Sequence, residues 1–136
     1  MSNEIPSILS HVSIGTNQFE AASRFYCRVL SALEIKVMHQ AEGAIAFGRQ
    51  FPEFWLQQPI NGQPATTGNG SHFSFIATSK EQVDRFYQVA IAEGGTDAGE
   101  PGPRPCYGEP YYGCFVYDLD GHKIEANFWD FSLGNP

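Results

Sequence analysis

Basic residues are scarce in this chain. Lysine and arginine total 8 against 15 aspartates and glutamates in 136 residues, for a formal charge of −7. A protein that grips a nucleic-acid backbone needs clustered Lys and Arg to replace the phosphate counterions, so nucleic acid is not an expected partner. The acids are interspersed rather than blocked, which reads as solubility and not as an interaction tail. No uncharged apolar run reaches the ~20 residues of a membrane-spanning helix. The opening Met1-Ser2-Asn3-Glu4-Ile5-Pro6 also lacks the basic-then-apolar order of a secretory signal. No membrane partner and a cytoplasmic location are therefore expected. Cysteine is equally sparse: Cys27, Cys106 and Cys114 are odd in number and share no ligand-like spacing. That excludes a disulfide framework, and reduced, mostly buried thiols are expected.

What the chain does have is a repeat. His11 and Ser13 recur as His72 and Ser74, Glu20 as Glu81, and Arg24-Phe25-Tyr26 as Arg85-Phe86-Tyr87, all at an offset of 61 residues. The physical pattern recurs with the letters. Residues 9–14 alternate with period two, placing Leu9, His11 and Ser13 on one face and Val12 and Ile14 on the other; residues 72–76 set His72 and Ser74 opposite Phe73 and Phe75. A capping pattern follows each strand, Asn17 with Glu20 and Thr78 with Glu81. Apolar residues then recur at helical spacing from Phe19 to Leu33 and from Val83 to Ile91, and Gly94-Gly95 marks the end of the second helix.

Runs at residues 34–39, 44–48 and 54–58 predict three further strands in the first unit, and the Gly-, Pro- and Thr-rich residues 59–70 read as a linker. The second unit resumes at residue 71, with a short strand near 96–98. Residues 99–110, rich in Pro and Gly, read as an irregular loop of the kind that serves as a lid. Strands at 111–117 and 122–128 follow, joined by the turn Asp118-Leu119-Asp120-Gly121. The expected fold is α+β: a single domain over residues 1–136, built of tandem βαβββ units at 8–58 and 71–129 that form a curved mixed sheet around a metal or ligand cavity. Units of about 60 residues are marginal alone, so the two must share an interface.

The apolar face of each opening strand has to meet the helices, so the histidine-bearing face points away from them. In the last strand Lys123, Glu125 and Asn127 share one face against Ile124, Ala126 and Phe128. His11, His72 and Glu125 thus fall on helix-free faces, which line one hollow if the sheets curl. Two imidazoles and a carboxylate with open positions suit a divalent ion: Zn, Ni, Mn, Co or Fe(II). A lone strand histidine is ordinarily a packed or solvent-facing residue, but duplication brings equivalent positions together across a pseudo-twofold axis. His39 and His122 lack such counterparts and read as surface residues.

These features resemble the vicinal oxygen chelate superfamily, which includes glyoxalase I, bleomycin-resistance proteins and extradiol dioxygenases. The likeness rests on the paired units, on His11 and His72, and on the closing segment Tyr117-Asp118-Leu119-Asp120-Gly121-His122-Lys123-Ile124-Glu125. It covers residues 8–129, and residues 94–112, with Arg104 between prolines and the pair Tyr111-Tyr112, are similar to a glyoxalase-like subgroup. The resemblance implies one metal ligand from the first and one from the last strand of each unit. His11, His72 and Glu125 match three of those places, and Gln57 stands at the fourth, where glyoxalase I commonly has a carboxylate. It further implies a homodimer and a metal-dependent lyase or isomerase acting on a small oxygenated substrate through enediolate-like chemistry, with a metal-bound water, or Glu125 if displaced, moving the proton and Arg104 as a basic subsite. The alternatives it carries are an Fe(II) ring-cleaving dioxygenase and a non-enzymatic binder of the bleomycin-resistance kind, holding an aromatic ligand among Phe54, Trp55, Tyr107, Tyr111 and Tyr112.

Overall fold

Two helices carry the apolar stripes that organise the core. Helix α1 (Phe19–Ser31) buries Ala22, Phe25, Tyr26, Val29 and Leu30, the spacing of one helical face. Helix α2 (Lys80–Ala92) buries Val83, Phe86 and Ala90 on the equivalent stripe. Each lies against a four-stranded sheet. In the first, strands β1 (Val12–Gly15), β2 (Lys36–Ala41), β3 (Ala44–Gly48) and β4 (Phe54–Gln57) run in the order β1-β4-β3-β2. In the second, β5 (His72–Ile76), β6 (Thr96–Pro103), β7 (Tyr111–Tyr117) and β8 (Lys123–Trp129) run β5-β8-β7-β6. β1 is parallel to β4 and β5 to β8, while the remaining pairs are antiparallel. The same topology is therefore built twice. This computed structural model describes residues 8–133.

The units are joined through apolar and polar contacts. The Phe54 ring lies 5.1 Å from Tyr26 of its own unit and 5.0 Å from Phe75 of the other, so it belongs to the core rather than to an aromatic groove. The polar seam lies beside the β7–β8 turn. The Thr16 hydroxyl donates to Asp120 at 2.5 Å, the Asn17 amide donates to the same carboxylate at 3.0 Å, and the His122 Nε2–H donates to the Gly15 carbonyl at 2.7 Å. Asp118 accepts the Tyr26 hydroxyl and the backbone amides of Asp120 and His122. Burial pushes the Asp118 carboxyl above its usual range, and those donors pull it back down. His122, expected at the surface, is thus buried at 4% exposure, because its backbone closes the turn and its ring is drawn under β1.

Several local expectations are corrected. β1 begins at Val12, whose amide bonds Glu53, so His11 sits just before the strand. Neither predicted cap forms. The Asn17 side chain instead bridges both backbone groups of Ala65, and Ser79, not Thr78, caps α2 by accepting from the Gln82 amide. The Gln82 side chain reaches back to the Thr78 amide, a capping box displaced by one residue. The C-terminal end of α2 is as expected, with Gly94 at φ 101° and Gly95 donating to Ala90. The largest correction is at residues 99–110. β6 runs through to Pro103 with two register shifts, and only Pro105–Tyr107 forms a short 3-10 turn. Pro101 and Pro103 are accommodated because β6 is an edge strand, with one side free of ladder bonds. Cys106 is exposed, while Cys27 is half-buried and Cys114 fully buried.

Candidate functional site

Alternation along β8 sends Ile124 and Ala126 fully into the core and leaves Lys123, Glu125 and Asn127 on the face away from α2. Register sets their neighbours: Ser74 and Phe115 flank Glu125, while His72 and Tyr117 flank Lys123. Glu125 is only 6% exposed, yet its carboxylate is well supplied with partners. Oε1 lies 3.3 Å from His72 Nε2, and Oε2 accepts the Tyr111 hydroxyl at 2.7 Å and the Asn127 amide at 3.3 Å. The Asn127 amide also donates to Ser74 Oγ.

Tyr111 reaches the carboxylate because Gly113 lies between them on the same face. A Cβ at position 113 would sit 2.2 Å from the phenol oxygen. Burial, and then the bond to Glu125, hold the Tyr111 phenol well above its ordinary pKa, so it is a neutral donor at physiological pH. Tyr107 is exposed, with its ring 5.0 Å from that of Tyr111. Tyr112 does not join them. As the next residue in β7 it points to the opposite face and donates to Asp84 of α2 at 2.6 Å, and its own pKa is pushed up to about 12 by burial and that bond. Arg104 spends its donors on its own loop, bonding the carbonyls of Glu100, Gly102 and Pro103, while its guanidinium rests 6.0 Å from the Phe115 ring centre.

The first unit presents a different set. Trp55 and Gln57 share the helix-free face of β4; Trp55 donates to the Pro52 carbonyl at 3.1 Å. Its ring is 6.4 Å from His11 and 5.4 Å from His39, which is exposed on β2. His11 is exposed, with Nδ1 3.0 Å from Ser10 Oγ. The structure thus brings His72 and Glu125 together. Among the described residues, no three of His, Cys, Asp and Glu gather closely enough to hold one metal ion. An imidazole and a carboxylate are the right donor chemistry for a divalent cation, but a catalytic centre ordinarily takes at least three protein ligands. Among the described residues His72 and Glu125 supply two such donors side by side, short of that number.

Sequence reasoning placed Lys123, Ser74 and Asn127 on the faces of Glu125 and His72 but gave them no role. It read His122 as a surface residue, because nothing in the alternation announces the Gly15 carbonyl, 107 residues away, that its ring bonds.

The comparisons with known proteins agree with this architecture. The family model described as the Glyoxalase/Bleomycin resistance protein/Dioxygenase superfamily matches residues 8–126. A glyoxalase/bleomycin resistance protein from Albidiferax ferrireducens T118 is 39% identical, with a TM-score of 0.84 over 90% of this chain and 99% of that one. Two more distant structures share the fold. A glyoxalase/bleomycin resistance protein/dioxygenase family enzyme from Burkholderia phytofirmans PsJN is 20% identical, with a TM-score of 0.69 over 90% of this chain and 99% of its own. A lactoylglutathione lyase from Agrobacterium tumefaciens is 18% identical, with a TM-score of 0.63 over 92% of this chain and 96% of its own. No curated protein matches the chain. With the repeated topology and the family match both in hand, the chain belongs to the glyoxalase/bleomycin resistance protein/dioxygenase superfamily.

Proposed function

We propose that the protein is a metal-dependent enzyme of the glyoxalase-like lyase or isomerase type, working as a homodimer on a small oxygenated substrate. The observation that carries the reading is the pairing of His72 with the buried carboxylate of Glu125 on a helix-free face. His72 and Glu125 of one copy and His11 and Gln57 of a second copy would together hold the ion. A divalent cation there supplies Lewis-acid stabilisation of negative charge on a substrate oxygen. The protein's own groups do the rest. Glu125, once displaced as a ligand, would accept and return the substrate proton at Oε1, while Tyr111 pins Oε2 and fixes the direction of the other oxygen. Trp55 offers an apolar wall beside His11.

One observation favours a second reading, a binder of the bleomycin-resistance kind without metal. Among the described residues no three of His, Cys, Asp and Glu converge, and position 57 is an amide where a carboxylate would bind more strongly.

Complementation separates the two readings. Protein purified without chelator is expected to be dimeric and to carry about one ion per chain, with His11→Ala and His72→Ala each losing it. Co-expressing the two variants in one dimer puts both defects in one site and leaves the other whole, so about half of the metal content returns. Full metal loss in the mixed dimer rules out sharing between copies. Metal-free wild type under every divalent ion tried leaves the binder.

A further inference from the structure

A polar pocket of about 330 Å³ opens beside His72, bounded by residues 67–71 together with Tyr117, Gly121 and Lys123. The residues that line it include Thr67, Ser71, Tyr117, Asn69, His72 and Lys123, and no aspartate or glutamate. That is notable in a chain with 15 acidic residues against 8 basic ones. The nearby acids are already engaged: Asp120 is held by Thr16 and Asn17, and Glu125 by Tyr111 and His72.

Among the described residues Lys123 has no counter-ion. Among the described residues the ion pairs are Arg28–Glu93 and His72–Glu125, and the Lys123 ammonium instead lies 4.9 Å from the centre of the Phe115 ring. The Arg104 guanidinium lies over the same ring, its donors taken by neutral carbonyls that leave its charge uncompensated. The Phe115 ring is in turn 6.3 Å from that of His72. Two cations without an ion-pair partner among the described residues thus flank one aromatic side chain beside the His72–Glu125 pair. The turn that closes the pocket is built for close approach. Gly68 and Gly70 have φ of 72° and 92°, and the amides of Asn69 and Gly70 donate to no backbone carbonyl among the described residues. Free amides in such a turn are anion donors.

We propose that this pocket binds the anionic end of the substrate, a carboxylate or a phosphate, with Lys123 as its counter-ion and Arg104 adding its field from across Phe115. The assignment rests on the functional reading above and narrows it: the substrate is a small anion whose oxygenated carbon is presented to His72 and Glu125. Lys123 is a specificity residue, in contact with the charged group and remote from the proton transfer.

Amide NMR of chelator-treated protein tests this without metal or turnover, so failure of metal binding and failure of this subsite are separate results. Methyl phosphate and lactate are titrated in turn, with lactamide as the uncharged control. Saturable shifts are expected at residues 68–71 and at Lys123 with either anion and not with lactamide, and the tighter anion identifies the substrate's charged group. Lys123→Met is expected to weaken binding about tenfold or more, the size of one charge-assisted contact, whereas Lys123→Arg stays within about threefold. Lys123→Arg also guards against a folding artefact at that position. Unchanged affinity in Lys123→Met, equal binding of lactamide, or shifts confined to other parts of the protein overturns the proposal.

Discussion

Replacing Tyr111 by phenylalanine removes one oxygen and leaves the ring, so it isolates the bond to Glu125. The ring's neighbours, Tyr107 at 5.0 Å and Trp129 at 5.3 Å, pack equally well against phenylalanine. What changes is the carboxylate. Glu125 is 6% exposed, and its shortest hydrogen bond is the 2.7 Å contact from Tyr111; the Asn127 amide and His72 both stand at 3.3 Å. A hydrogen bond to an ionised group contributes about 1.5–3 kcal/mol, and a buried acceptor left short of donors loses the upper part of that range. For a chain of 136 residues this corresponds to a fall in Tm of roughly 5–12 °C. Thermal unfolding followed by circular dichroism measures it, and in urea the midpoint should fall with the slope unchanged. A Tm within about 2 °C of wild type would refute the argument, because it would mean that water already serves Glu125 and that Tyr111 does not hold it.

Three other perturbations probe the same framework. Gly113→Ala places a methyl 2.2 Å from the Tyr111 hydroxyl and 2.9 Å from the backbone carbonyl of Ala126. It should cost at least about 2 kcal/mol in chemical denaturation through overpacking added to the displaced bond; a neutral result would show that Tyr111 does not lie across the glycine. Glu34 is an exposed residue in the left-handed region at φ 60°, after the end of α1. Glu34→Gly relieves that strain and is expected to raise stability by about 0.5–1 kcal/mol after allowing for the freer unfolded chain, with a lowered Tm counting against it. The phenols of Tyr26, Tyr111 and Tyr112 are all raised by burial and by a carboxylate partner. Their folded pKa values lie above the unfolded value near 10, so the stability they contribute is complete below about pH 10 and is lost as pH rises beyond it. Phenolate absorbance should therefore lag behind the count of six tyrosines until circular dichroism shows the fold giving way; ionisation of all six in an intact fold would contradict this.

The repeat was legible because two signals coincide at one offset: the period-two face of the opening strand and the helical stripe after it. The positions of His72 and Glu125 followed from alternation alone, since β8 must bury Ile124 and Ala126 and so must turn Glu125 outward. What the sequence concealed depended on partners distant along the chain. Asn17 has the composition of a cap, but Ala65, 48 residues away, competes for its side chain and wins both of its groups. Proline and glycine at residues 99–103 read as loop, because local propensity carries no knowledge that β6 is an edge with a free side. Tyr111 and Tyr112 look alike as neighbours, yet one residue of register separates the face of Glu125 from the face of α2.

The polar seam fixes how the two units of one chain sit against each other. Here the β1–α1 junction of the first unit and the β7–β8 turn of the second share one partly buried network. Thr16 and Asn17 bond Asp120, His122 bonds Gly15, and Tyr26 of α1 bonds Asp118. Gly15 is the register partner of Gln57, and His122 immediately precedes Lys123 and the strand bearing Glu125. Any slip between the units would break several of these hydrogen bonds at once and leave Asp118 short of donors, which is far costlier than losing an apolar contact that can re-pack. A polar seam in place of a purely apolar one thus sets a single register between the face that carries Trp55 and Gln57 and the face that carries His72 and Glu125.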